Sequence, residues 1–255
     1  MPISPGLVSV TFRKLSPERI AALAAAAGLR AIEWGGDVHV PHGDLAVAKR
    51  VRKLTTDAGL AVSAYGSYYR AGNAPRNPPF QAVLDTALAL AAPTIRVWAG
   101  VAGSAQADPA TRGRVIDDLR AICRQVAPHG LTISLEYHDN TLADRADATL
   151  ALLEEAVQPN LRCFWQPRHG DPADAGLHDL ALLRPHLANL HVFHWWPDPA
   201  TRLPLARGQD RWPRYLAAIN DGTPRYASLE FVPQDDESLL AAEAATLLAM
   251  LRNLA

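Results

Sequence analysis

The sequence has little cysteine and no surplus of charge of either sign. Its 255 residues include two cysteines, Cys123 and Cys163, which are too few for a disulfide framework and indicate buried thiols in a reducing compartment. Lysine and arginine number 25 against 26 acidic residues, so the chain lacks the basic excess that nucleic-acid-binding proteins carry. We therefore expect no nucleic-acid partner.

Targeting, membrane and linker segments are also missing from the sequence. The stretch MPISPGLVSVTF has neither a basic region nor a long apolar region, so no secretory signal is expected. The alanine-rich run at 21–27 is too short and too weakly apolar to span a bilayer. No segment rich in Pro, Gly and Ser divides the chain. These absences predict a cytoplasmic protein without a membrane partner, folded as one domain over residues 1–255.

Short β-type runs alternate with helical stretches along the whole chain. The strand candidates are 7–12, 29–34, 60–65, 94–98, 131–137, 161–165, 188–193 and 225–231. The helix candidates are 17–27, 44–58, 80–91, 109–127, 143–156, 174–185, 211–219 and 235–253. Gly28, Gly59 and Gly130 each end a helix just before a strand. Eight such units predict an α/β fold in which parallel strands close into a (β/α)8 TIM barrel.

A doubly wound sheet is the competing α/β architecture. It needs a glycine-rich phosphate loop after its first strand, and no such loop follows Phe12. Hydrophobic residues make up 49% of the chain, which is enough to bury the large core of a barrel. The sequence therefore favours the single barrel.

Polar residues recur near the ends of the predicted strands, where a barrel of this type builds its active site. Because side chains alternate along a strand, the apolar residues at 131, 133 and 135 would face the helices, which turns Glu136 and His138 inward. The same alternation turns Glu33, His191 and Glu230 inward. Like charges gathered in one lumen repel each other unless a cation or protons hold them together. A divalent metal explains the set; pairing with an arginine or exposure at the rim would explain any single member.

Aromatic residues concentrate at the same predicted strand ends. This distribution favours a concave, partly apolar pocket whose flat faces suit the C–H faces of a sugar, although aromatic residues are common in strands generally. The residues concerned are Trp34, Trp98, Trp165, Trp195, Trp196, Tyr65, Tyr68 and Tyr69.

With these residues the sequence resembles a known family, the xylose-isomerase-like barrel superfamily of sugar isomerases and epimerases. That superfamily includes hydroxypyruvate isomerases, ketose 3-epimerases, inosose dehydratases and apurinic endonucleases. The resemblance covers nearly the whole length and rests on seven segments in the right order. These are GLRAIEWGGDVHVPHGD (28–44), SAYGSYYRAG (63–72), IRVWAG (95–100), LEYHDNTLAD (135–144), FWQPRHG (164–170), NLHVFHW (189–195) and SLEFV (228–232).

The resemblance implies a metal held by residues of strands five to eight. The matching positions are Glu136, Gln166, His191 and Glu230. Gln166 departs from the family pattern, which has Asp there; its carbonyl oxygen can bind a hard cation but brings no charge. Mn²⁺ ranks first among the expected metals, with Mg²⁺ and Zn²⁺ as alternatives. His169 resembles a family position that contacts a substrate hydroxyl.

The implied reaction is isomerisation or epimerisation of a small sugar-like hydroxy-carbonyl compound through an enediolate. The metal would polarise the substrate, and Glu136 and Glu230 would serve as the catalytic base and acid. Six residues are expected to contact the substrate, namely His169, Arg202, Trp98, Tyr65, Glu33 and His138.

The same scaffold also supports other activities. The trinuclear zinc site of the endonucleases needs histidines where this chain has Tyr65 and Trp98, which argues against DNA repair. A lyase similar to inosose dehydratase would use the same metal. A barrel that has lost its metal and binds a sugar or a partner is the non-catalytic alternative, and metal analysis would separate it from the enzymes. Barrels of this group often pair through helices, so a homodimer is among the expected assemblies.

Overall fold

The computed structural model describes residues 2–254, and within them eight parallel strands form a closed barrel. The strands are β1 (Ile3–Val8), β2 (Ala31–Gly35), β3 (Ala61–Arg70), β4 (Thr94–Trp98), β5 (Thr132–Glu136), β6 (Leu161–Trp165), β7 (Leu187–Val192) and β8 (Arg225–Leu229).

The barrel closes through β1, which pairs with strands on both of its sides. Gly6 of β1 lies in register with Ala31 of β2 and with Ser228 of β8, and both pairings are parallel. The remaining strands follow one another in chain order around the barrel. The predicted single-domain (β/α)8 barrel is therefore confirmed.

Eight α-helices surround the barrel. They are α1 (Pro17–Ala26), α2 (Leu45–Asp57), α3 (Phe80–Leu90), α4 (Pro109–Val126), α5 (Ala146–Ala156), α6 (Ala173–Leu183), α7 (Trp212–Ala218) and α8 (Leu240–Arg252). Capping side chains mark the beginning of several helices. Ser16 and Asp108 accept hydrogen bonds from backbone N–H groups of the first turn, and each is followed by a proline, whose missing N–H costs nothing at that position.

The first strand differs from its predicted position. The sequence predicts a strand at 7–12, but β1 ends at Val8 and Ser9–Phe12 forms a 3₁₀ turn. The hydroxyl of Ser9 accepts a hydrogen bond from the backbone N–H of Gly35 at 2.8 Å, so a side chain replaces the strand pairing here. Val10 and Phe12 remain buried in the turn, which explains why the apolar pattern suggested a longer strand.

The main core lies between the barrel and the helix layer. Ile133 and Leu135 of β5 point outward and are fully buried. The lumen is polar: the hydroxyl oxygens of Thr94 on β4 and Ser134 on β5 lie 2.8 Å apart inside it. An apolar outer face and a polar inner face let the strands carry ionisable groups without disturbing the helix packing.

Membrane insertion through a helix is not a feature of the part of the chain that the structure describes. No helix there combines the length and the apolar character that crossing a bilayer would need.

Val157 gives a test of the backbone at the end of α5. This β-branched residue adopts the left-handed conformation with φ at 51°, and 74% of it is exposed. Because glycine adopts this conformation freely, Val157→Gly should raise the free energy of unfolding by up to about 1 kcal/mol, measured by urea denaturation. As a control, Ala151→Gly inside α5 should lower it by about 1 kcal/mol. A loss of stability in Val157→Gly would contradict this account of the helix end.

Candidate active site

Four ionisable side chains from separate strands meet inside the barrel. Glu33 lies on β2, Glu136 on β5 and His191 on β7, while Glu230 directly follows β8. All four are buried. Single ligand atoms of Glu136, His191 and Glu230 lie within 4.8 Å of one another. The structure thus brings together four residues that alternation along the strands turns inward.

Acceptor oxygens surround the ring of His191. Its Nε2 lies 3.0 Å from Oε2 of Glu33. Its Nδ1 lies 3.2 Å from Oε1 of Gln166, 3.3 Å from Oε2 of Glu230 and 3.7 Å from Oε1 of Glu136. A ring nitrogen carries at most one hydrogen, so Nδ1 cannot donate to all three oxygens. One nitrogen and three oxygens facing a common point are the surroundings that a cation needs.

This donor set fits a divalent metal. Glu136 and Glu230 supply carboxylate oxygens, His191 supplies a ring nitrogen, and Gln166 supplies an uncharged carbonyl oxygen. Such a mixture suits Mn²⁺, Mg²⁺ or Zn²⁺. Glu33, on the other ring nitrogen, is the kind of partner that fixes the tautomer and orientation of a metal-binding histidine. These residues could therefore hold a metal ion.

Arg96 on β4 is a central member of the cluster that the sequence reasoning missed. It is 1% exposed. Its Nε donates to Oε1 of Glu33 at 2.5 Å, and its Nη1 donates to Oε2 of Glu136. A side chain at Gly66 would not fit beside it, because a Cβ atom there would lie 2.6 Å from Nη2 of Arg96. Ile95 and Val97 face the helices, so the alternation of side chains along a strand, which predicts the inward glutamates, also predicts that Arg96 points inward.

Mutual neutralisation sets the protonation of this cluster. Burial alone would raise the pKa of Glu33, but Arg96 and His191 outweigh it and lower the pKa to about 2. Burial likewise opposes the charge on His191, but Glu230 and Glu33 prevail and raise its pKa to about 10. Despite its burial, the pKa of Glu230 is also lowered, mainly by His191, so Glu33 and Glu230 stay ionised because positive charge lies against both. A cation next to Nδ1 would stabilise the carboxylates in the same way as a proton on the ring.

A cavity of about 210 Å³ opens beside the cluster. Glu136, Gln166 and Glu230 line one part of it, so ligand atoms for a metal face the cavity. Aromatic side chains line much of the rest, namely Tyr68, Trp98, Phe193, Trp195 and Phe231. The cavity thus combines a few polar groups with flat apolar walls, as small-molecule sites commonly do.

Two histidines expected to contact substrate also line this cavity. The ring of His138 stacks on Trp98 with centroids 4.6 Å apart, and its Nδ1 lies 2.7 Å from the carbonyl oxygen of Asp139. The ring of His169 stacks on Trp195 at 5.1 Å. Burial lowers the pKa of His169, which favours its neutral form. Both rings are held in place by aromatic neighbours.

Three other expected substrate contacts are placed differently. Tyr65 is fully buried on the outer side of β3, and its hydroxyl donates to the carbonyl oxygen of Val40 at 2.8 Å, so it does not reach the cavity. Glu33 is also fully buried and holds Arg96 and His191 instead of lining the cavity. Arg202 is not among the residues that line the cavity.

Arg202 is held in place by its neighbours. Its guanidinium carbon is 4.5 Å from the ring centroids of both Trp195 and Phe231. Its Nη1 donates to Oδ1 of Asp235 at 2.7 Å. Arg202 therefore packs against two aromatic residues that line the cavity.

Comparison with known proteins identifies the family and finds relatives of known name. The family model described as "xylose isomerase-like TIM barrel" matches residues 21–254. A 3-dehydroshikimate dehydratase of Bacillus anthracis is 31% identical over 172 residues, which are 58% of this chain and 59% of that protein. The match therefore spans about three fifths of the length of that relative.

Solved structures share the architecture at lower identity. The probable 3-DHS dehydratase AsbF from Bacillus anthracis, involved in petrobactin synthesis, has a TM-score of 0.79 at 22% identity, covering 96% of this chain and 98% of its own. A xylose isomerase-like TIM barrel protein from Mycobacterium smegmatis in complex with magnesium has a TM-score of 0.73 at 16% identity, covering 99% and 98%. A D-allulose 3-epimerase from Methylomonas sp. has a TM-score of 0.68 at 15% identity, covering 97% of each chain.

Replacing Arg96 should test how much its positive charge stabilises the buried glutamates. Arg96→Met leaves Glu33 and Glu136 buried without their partner, so we expect the free energy of unfolding to fall by about 3–5 kcal/mol in urea with a metal chelator present. Adding Glu33→Gln to the same chain should recover part of the loss, because one uncompensated charge disappears. The control Arg50→Met removes an exposed partner of Glu18 and should cost less than about 1 kcal/mol. Equal losses in both single variants would contradict the role of Arg96.

Proposed function

We propose that this chain, which belongs to the xylose isomerase-like TIM barrel family, is a metal-dependent dehydratase that acts on a cyclic hydroxy ketone carrying a carboxylate. The observation that carries the proposal is the position of His138 in the cavity that the candidate metal ligands also line. A proton acceptor and an electrophile in one cavity are what the removal of a proton beside a carbonyl group needs.

The proposed substrate class follows from the relatives. The sequence relative from Bacillus anthracis is named a 3-dehydroshikimate dehydratase, and a solved structure from the same organism is described as a probable 3-DHS dehydratase. 3-Dehydroshikimate is a ring with a carboxylate, a ketone and hydroxyl groups on the α- and β-carbons of the ketone. Its α-proton is acidic because of the ketone, and its β-hydroxyl can leave. We therefore take a ring of this type as the substrate of this chain.

The metal would be held by Glu136, His191 and Glu230, with the carbonyl oxygen of Gln166 as a fourth donor. When bound, it would supply Lewis acidity that stabilises negative charge on the substrate's oxygen. Glu33 and Arg96 would act as positioning residues, since Glu33 orients His191 and Arg96 holds both Glu33 and Glu136.

His138 is the residue that we assign as the proton acceptor. Its Nδ1 is turned to the carbonyl oxygen of Asp139, which requires the hydrogen on Nδ1 and leaves the lone pair on Nε2. Glu136 is less suited, because its Oε2 already accepts hydrogen bonds from Arg96 and Trp98. His138 would take the α-proton and return it to the leaving hydroxyl. One C–H and one C–O bond break, a C=C bond forms, and water leaves. The ring that remains then loses a proton from its CH2 group and gains one on the ketone oxygen, which makes it aromatic without an oxidant.

The isomerase or epimerase activity expected from the sequence is the second candidate. Glu136 and Glu230 both line the cavity, and a pair of carboxylates could remove and return a proton at a substrate carbon. This candidate can be separated from dehydration by incubating the protein with fructose or allulose in deuterated water. An isomerase or epimerase should incorporate deuterium at a substrate carbon. A protein that binds no metal after reconstitution would favour the non-catalytic alternative.

Loss of His138 should abolish most of the proposed activity. With 3-dehydroshikimate as substrate, the wild type should form an aromatic product that can be followed by its ultraviolet absorbance. His138→Asn should lower kcat by about 10²- to 10⁴-fold, because general base catalysis contributes on that order. The exposed His129 offers a matched control, and His129→Asn should leave kcat unchanged. Full turnover by His138→Asn would rule out this proton acceptor, while no turnover by the wild type would count against the substrate class.

Gln166 gives a separate test of the metal ligands. Gln166→Asp adds a charged oxygen beside Nδ1 of His191, so Mn²⁺ should bind about tenfold more tightly or better, measured by isothermal titration calorimetry. Gln209→Asp adds the same charge at an exposed position and should leave the affinity unchanged. Unchanged affinity in Gln166→Asp would show that residue 166 is not a ligand.

A further inference from the structure

Arg13 brings positive charge to the cavity from a position outside the metal cluster. It follows the 3₁₀ turn Ser9–Phe12 and lines the same cavity as Glu136 and Glu230. Its side chain is 42% exposed, in contrast to the fully buried Arg96. The two carboxylates and Arg13 thus give the cavity both an acidic part and a basic part.

The guanidinium of Arg13 is fixed in place but keeps free donors. Its Nε donates to Oδ2 of Asp37 at 2.9 Å, and its Nη2 donates to the hydroxyl of Tyr68 at 3.0 Å. Its Nη1 makes a long contact of 3.5 Å with the carbonyl oxygen of Val10. A guanidinium has five N–H groups, so two have no partner among residues 2–254. These two are available to an anion.

Three other arginines near the cavity do not combine a place in its lining with free donors. Arg96 lines the cavity but already pairs with Glu33 and Glu136. Arg202 pairs with Asp235 and stacks on Trp195. Arg70 stacks on Trp98. Neither Arg202 nor Arg70 is among the residues that line the cavity.

We propose that Arg13 recognises the carboxylate of the substrate and so determines the specificity of this site for acidic rings over neutral sugars. The proposal rests on the function proposed above for the same cavity. A ring bound in this cavity would have Glu136, Glu230 and Arg13 along its walls, so a carboxylate on the ring could be paired with the guanidinium and kept away from the two carboxylates. Tyr68 and Phe231 line the same cavity next to Arg13. Asp37 and Tyr68 are positioning residues, since they orient the guanidinium.

Binding of two small aromatic probes tests this role without any need for turnover. 3,4-Dihydroxybenzoate and catechol carry the same pair of hydroxyls, and only the first has a carboxylate. Calorimetry on the Mn²⁺-loaded protein should show that the wild type binds 3,4-dihydroxybenzoate more tightly. In Arg13→Gln this affinity should fall by about 10- to 100-fold, as expected for lost charge-assisted hydrogen bonds, while catechol affinity changes less than about twofold. Arg13→Lys keeps the charge but not the planar fork and should fall between.

Two control variants test whether the loss of carboxylate preference is specific to Arg13. Arg202→Gln removes the neighbouring cation, and Arg19→Gln removes a surface arginine that pairs with Glu237. Both should keep the preference for the carboxylate. A wild type without that preference, or an Arg13→Gln protein that retains it, would overturn the proposal.

Kinetics separate this inference from the proposed function. If 3-dehydroshikimate is turned over, Arg13→Gln should raise KM at least about tenfold and lower kcat much less, because the carboxylate is remote from the reacting bonds. An unchanged KM would refute the role of Arg13 while leaving the dehydratase intact. Carboxylate binding that depends on Arg13 in a protein without turnover would instead support Arg13 and reject the reaction.

Discussion

The electrostatic balance inside the barrel lumen is the constraint on which the site depends. Glu33, Glu136 and Glu230 are buried within reach of one another, where ionised carboxylates are unstable without nearby positive charge. Arg96 supplies one positive charge and holds two of the three carboxylates in fixed orientations. The remaining negative charge faces Nδ1 of His191, and this is why a divalent cation fits at that point.

The barrel topology brings the charged side chains of this cluster together. Parallel strands end at the same mouth, so side chains from β2, β4, β5 and β7 meet there although they are far apart in sequence. Glu33 orients His191 from behind, and Arg96 connects Glu33 to Glu136. The groups facing the cavity are therefore supported by a second set of buried groups on rigid strands. Catalytic groups held in this way lose little free energy to reorientation during a reaction.

The order of strands and helices along the chain predicted the fold, and the alternation of side chains along the strands predicted several members of the cluster. This alternation turned Glu136, His191 and Glu230 inward, and the structure brings these three side chains together. Tyr65 was expected in the cavity only because it ends a predicted strand; it pairs in register with Trp34, and both side chains lie on the outer side. Arg13 could not be found in this way, because it lies after a 3₁₀ turn where no periodic pattern applies.

Gln166 connects the charge of the cluster to the choice of substrate. With a divalent cation bound and His191 neutral, the charges of Glu33, Glu136 and Glu230 are fully balanced by the metal and Arg96. An aspartate at position 166 would add one uncompensated negative charge to the cavity wall and would repel a substrate carboxylate at short range. If the proposed function holds, the uncharged amide would give up metal affinity but leave a neutral wall, and a neutral wall would let the free donors of Arg13 attract an acidic ring.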